Sequence, residues 1–138
     1  MKLFRRLAGL NSLERKLLIH ATMTVAAFRL ALWLLPGSAC FRLAQPGPGS
    51  DSFSPACLAW AVRTVSRHIP GATCLTQALA LRWLLSRSGH VSVVRIGVAK
   101  QQGRFHAHAW VEHAGAPLLS TPAEVAAYAP LAVWESAV

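Results

Sequence analysis

Two residue types in this chain can do covalent chemistry together. Cys74 is placed to open a helix, in the segment ATCLTQALALRWLLSRSG, and His108 follows 34 residues later in the alternating run FHAHAWVE. A free thiol near neutral pH is mostly protonated, and the thiolate is the nucleophile. A helix N-terminus favours negative charge through its unpaired N–H groups and its dipole, and an adjacent imidazole can take the thiol proton. The same helix end offers amides for a developing oxyanion. Cys40 and Cys57 have no matching histidine and adjoin apolar residues, so both are expected to be buried, inert thiols. His106, His108 and His113 read H-x-H-x4-H. With Cys74 they are a conceivable zinc set, but no Cys-x-x-Cys or His-Glu-x-x-His accompanies them, and neither metal nor cofactor is expected. His20, His68 and His90 read as surface or interfacial residues.

The elements that must hold Cys74 and His108 follow from hydrophobic period and punctuation. Leu75, Leu79, Trp83 and Leu84 recur at helical spacing, which predicts a helix over about 73–88 with Gly89 as its stop. Arg82 and Arg87 fall in its later turns, where positive charge suits the dipole. The period then changes. VSVVRIGVA (91–99) is β-branched and short, KQQGR (100–104) is a turn, and 105–112 alternates strictly. Phe105, Ala107, Ala109 and Val111 point one way; His106, His108, Trp110 and Glu112 point the other. His113-Ala114-Gly115 turns the chain, APLLS (116–120) reads as a third short strand, and the tail holds a short helix near 122–128. Upstream, a helix over roughly 55–68 has Ala56, Leu58, Ala59, Val62 and Val65 as core positions and breaks at Pro70-Gly71.

The N-terminal part is one apolar helix. Asn11 and Glu14 have capping-box spacing, and Pro36-Gly37 ends it. Leu17 to Leu35 is 19 residues of nearly unbroken apolar sequence, close to bilayer length. It contains His20 and Arg29, and an arginine inside a span costs about 2.5–3.5 kcal/mol, so a buried helix is the expectation. Being apolar nearly all round, it needs covering on most sides. Residues 44–55, AQPGPGSDSFSP, read as a loop. The division is therefore 1–43 helical, 44–55 loop and 56–138 core, within one compact α+β unit.

Composition bounds the rest. The chain has 138 residues, 54% of them hydrophobic and 14% charged. That excludes intrinsic disorder. Three cysteines exclude a disulfide scaffold, and their odd number favours a reducing, cytoplasmic setting. The net charge of +9 points to an anionic partner. The arginines are scattered, with no basic run longer than two, and nucleic acid is not expected as the partner.

Cysteine on a helix start and histidine on an adjacent strand is also the arrangement of papain-like and transglutaminase-like enzymes. More specifically, Cys74-Leu75 opening a helix, Ile96-Gly97-Val98 in a strand, Ala107 to Glu112 as AHAWVE and the Gly115 turn resemble the leader peptidases of lasso-peptide maturation. Residues 13–36, LERKLLIHATMTVAAFRLALWLLP, resemble that family's leading helical region. The resemblance implies a transglutaminase-like cysteine-protease core. It implies removal of a leader peptide from a ribosomally made precursor, with Cys74 as nucleophile and His108 as base. It implies two further partners, a leader-binding recognition protein and an ATP-dependent cyclase that closes the macrolactam. His106 and Trp110 are candidate substrate contacts. The family places an acidic residue about twelve positions past the histidine; here Ser120 stands there, as a neutral third member. Glu112 shares the His108 face but lies roughly 13 Å along the strand, while Glu124 could fold back from the tail. Three other readings compete: a non-catalytic scaffold, a small membrane-associated protein with weak attachment through the N-terminal helix, and a metal module.

Overall fold

The structure, a computed structural model, describes residues 11–36 and 53–135 together with Gly9, Ala39, Cys40 and Arg42; for Gln101 and residues 130–135 it describes the backbone. Most of the expected 44–55 loop lies outside the described residues. Three helices lead: α1 (Ser12–Leu34), α2 (Pro55–Ser66) and α3 (Cys74–Arg87). The strands β1 (Val93–Gln101), β2 (Arg104–His113) and β3 (Ala116–Pro117), a short α4 (Pro122–Ala126) and β4 (Ala129–Glu135) follow. The architecture is α+β, as the change of period predicts.

Each helix start has a side-chain cap. Asn11 Oδ1 accepts from the Glu14 amide at 2.7 Å and Glu14 Oε2 accepts from the Asn11 amide at 3.1 Å, completing the expected box. Ser54 caps α2 through the Cys57 amide, with Pro55 in the first turn. Thr73 caps α3 through the Thr76 amide. α1 packs on α2 and α3, and α3 packs on β1 and β2. The core between them holds Ala21, Val25, Leu58, Val62, Leu79, Leu81, Leu85, Val94 and Val111.

The sheet order is β3-β2-β1-β4, antiparallel throughout. Both hairpin loops have two residues. Gln102-Gly103 has φ 53° and 76°, and Ala114-Gly115 has 52° and 81°. Positive φ at both positions is the type I′ signature, whose twist matches that of the flanking strands.

Several expectations need correction. β1 begins two residues later than the sequence suggests and runs to the turn itself. β3 ends at Pro117, which has no N–H to extend a ladder, and the chain then bends through 118–120. β4 was not expected at all; its short run AP-LAVWE contains a proline and pairs with β1 through an irregularity at Ile96/Gly97. α1 is covered on one side only, since α2 and α3 both lie against that side. Leu13, Ile19, Met23, Leu30, Trp33 and Leu34 are between 55% and 72% exposed. In α2, Ala61 is buried and Ala56 is exposed. Cys40 is buried, and burial pushes its thiol pKa up, but Cys57 is exposed. It sits in the first turn of α2, off the stripe made by Leu58, Ala61, Val62 and Val65. Arg82 does not project to solvent with Arg87; it is 1% exposed.

Candidate active site

Cys74 is the first residue of α3 and is half-buried. The cap and first helical bond use the amides of Thr76 and Gln77. Those of Cys74 and Leu75 therefore have no partner within the helix, as the first turn requires. The approach to Cys74 is held from two sides. Gln77 Nε2 donates to the Ala72 carbonyl at 3.1 Å. The Arg29 guanidinium of α1 lies over Gly71, whose φ is +76°; a Cβ there would collide with it. Nothing in the spacing of Arg29 announces this role, because the two residues are 42 positions apart.

β2, which packs on α3, carries the histidine. The alternation divides it as expected, with Ala109 and Val111 in the core and His108, Trp110 and Glu112 on the opposite face. Three contacts fix the imidazole. Its Nε2 is 2.8 Å from Ser120 Oγ. The Trp110 indole stacks on it at 5.8 Å and 22°. The Tyr128 ring lies 5.2 Å away. The indole is held in turn, since Trp110 Nε1 donates to Glu112 Oε1 at 3.0 Å and Arg95 Nε donates to Glu112 Oε2 at 2.7 Å. Gly97 is the β1 partner of His108. A Cβ on Gly97 would stand 2.8 Å from Tyr128 Cβ and 3.0 Å from Trp110 Cη2. The glycine of the Ile-Gly-Val motif is thus the notch that admits both rings.

Burial lowers the His108 pKa below its ordinary value, and the negative charge of Glu124 opposes that shift. The ring is therefore neutral at neutral pH and able to accept a proton. Its Nδ1 is the nitrogen left over once Nε2 is on Ser120. Cys74 Sγ makes no hydrogen bond to His108 in this resting geometry, and such bonds often form only with substrate bound.

Ser120 thus meets His108 as the sequence suggests. Trp110 does not line a cleft: at 4% exposure it backs the imidazole instead of presenting a surface to substrate. His106 is exposed on the same strand. His113 turns away, with Nδ1 2.7 Å from the Val91 carbonyl oxygen and its ring against His90. Among the described residues no group of three His, Cys, Asp or Glu side chains is placed to hold a metal. His68 is exposed in the turn after α2. Tyr128, which the sequence reading missed, carries no local signal; only the return of the tail to β1 brings it to the site.

The family model described as transglutaminase-like superfamily matches residues 17–133. The chain belongs to the transglutaminase-like superfamily. The match begins within α1 and ends within β4, so it takes in parts of both the helical layer and every strand of the sheet. No curated protein and no solved structure matches the chain. Superfamily membership agrees with a nucleophilic cysteine on a helix start and a histidine on the neighbouring strand.

Proposed function

We propose that this transglutaminase-like protein is a cysteine peptidase of the cytoplasm that removes the leader from a lasso-peptide precursor. The observations that support the chemistry are the His108 Nε2–Ser120 Oγ bond and the place of Cys74 as the first residue of α3. The bond fixes one ring nitrogen and leaves the other for the thiol. The leader specificity rests on the motif resemblance.

In this mechanism His108 Nδ1 takes the Cys74 proton. The thiolate attacks the carbonyl of the last leader peptide bond, and the Cys74 and Leu75 amides receive the oxyanion. The C–N bond breaks as His108 returns the proton to the leaving amine. Water, deprotonated by His108, then hydrolyses the thioester, releasing the leader acid and the thiol. The freed core peptide passes to the ATP-dependent cyclase. A leader-binding recognition protein presents the precursor, and His106, exposed on β2, contacts it. The exposed face of α1 is the apolar surface available for these partners or for weak attachment to a membrane.

Precursor peptide, recognition protein and this chain are incubated together and scored by mass spectrometry. Leader release by wild type, abolished by Cys74→Ala and by His108→Ala, is the expected result. Equal cleavage by wild type and Cys74→Ala overturns it. One observation favours a scaffold as the second reading: the third position carries a hydroxyl and no charge. Intact complex formation with unaltered processing in Cys74→Ala would support that reading.

A further inference from the structure

A hydroxyl can orient an imidazole but cannot balance the charge the ring acquires when it takes a proton. A carboxylate stands close by. Thr121 N–H donates to Glu124 Oε2 at 3.0 Å and the Glu124 amide donates to Thr121 Oγ1 at 3.2 Å. This reciprocal box pins the Glu124 side chain back over the start of α4. The amide that holds it is the one immediately after Ser120. One serine, one peptide unit and two hydrogen bonds therefore link the imidazole to the carboxylate.

We infer that Glu124 is a positioning residue that supplies, from the cap of α4, the negative charge steadying protonated His108, in the role that Ser120 cannot fill. The charge and the orientation are split between two residues that a single aspartate would combine. The inference deepens the peptidase reading and takes its purpose from it.

The other charged or titratable groups around the ring are already engaged or lie farther off. On β2, Glu112 is bound to Arg95 of β1 and to Trp110, and His106 is exposed two residues along. Lys100 of β1 lies over the Phe105 ring. Arg63 of α2 donates to the Leu118 carbonyl, near the bend that delivers Ser120. Tyr128 packs on the ring. Glu124 is the carboxylate among these with no cationic partner.

The test is the His108 imidazole titration by NMR, with His108→Ala for assignment, in wild type, Glu124→Gln and Glu124→Lys. Glutamine preserves the capping box, which accepts Glu or Gln, and removes the charge. The expected result is a graded fall in the His108 pKa, from Glu to Gln to Lys. The gap between wild type and Glu124→Gln should narrow as NaCl is raised from about 10 mM to about 1 M, where the screening length falls from roughly 30 to roughly 3 Å. An unchanged pKa in Glu124→Gln overturns the inference. So does an equal drop in both variants that salt leaves untouched, since that is the mark of a lost cap. The titration uses no peptide. A graded series in a protein that cleaves no precursor removes the peptidase reading and leaves the charge in place; a flat series in an active peptidase removes the role of Glu124 alone.

Discussion

α1 and α3 are written in nearly the same alphabet and do opposite things. Both are apolar over most of their length. α3 is enclosed by α1, α2, β1 and β2, and Ala78, Leu79, Ala80, Leu81 and Leu85 are completely buried. α1 buries Leu17, Ala21, Val25 and Phe28 on one side and leaves Ile19, Met23, Leu30 and Trp33 on the other. Composition alone does not separate a central helix from an outer one; the number of elements packed around it does. The enclosed helix is the one that begins with Cys74, so the proposed nucleophile is carried by the helix with the most elements packed around it.

That contrast is broken or sharpened by substitution. The largest effect is expected in α3: Leu81→Ala should cost about 2–5 kcal/mol in denaturant unfolding, as buried leucine truncations do. Across the sheet, Gly97→Val should cost about 1–3 kcal/mol, as overpacking does. It should also lower activity, because the new side chain displaces Tyr128 or Trp110 from His108; leader release and a melting curve read both. Arg82 is the exception within α3. Its Nε and Nη2 are buried with no hydrogen-bond partner among the described residues, and burial lowers its pKa. Arg82→Met should leave stability unchanged or raise it by about 1–3 kcal/mol, the cost of unsatisfied buried donors. A large loss instead would mean that the guanidinium is bonded in solution.

A smaller effect belongs to His108. His108 has its folded pKa below the unfolded value of 6.5, so the unfolded chain binds more protons in the window between the two. Stability should therefore fall on acidification below about pH 6.5, and His108→Gln should flatten that slope. The smallest change is expected on the outer face of α1, where Met23→Ser should stay within about 0.5 kcal/mol. A loss there comparable to Leu81→Ala would show that something covers this face.

The sequence made the site legible wherever the signal was local. Cys74 opens the helical run of Leu75, Leu79, Trp83 and Leu84, the β2 alternation assigns His108 and Trp110 to one face, and the Gln102-Gly103 and Ala114-Gly115 turns carry their glycines in plain view. Ser120 came from the family resemblance, which places a third residue about twelve positions past the histidine. What escaped was set by packing at long range. Tyr128 reaches His108 because β4 returns to β1, and β4 is too short and too interrupted by Pro130 to read as a strand. Arg29 meets Gly71 through the docking of α1. The exposure of Cys57 and the burial of Arg82 are questions of helix phase, which composition does not fix.

The brevity of β3 leaves one further mark on the molecule. It pairs only with Glu112 and His113, so the outer edge of β2 from Arg104 to Ala107 has no strand beside it among the described residues. Unpaired edges invite another chain to add a strand, and two copies of this protein would meet there edge to edge. Lys100 and Arg104 sit at that end of the hairpin, both exposed. In such a pairing like charges would be brought together at the tip of the hairpin, which disfavours self-association through this edge.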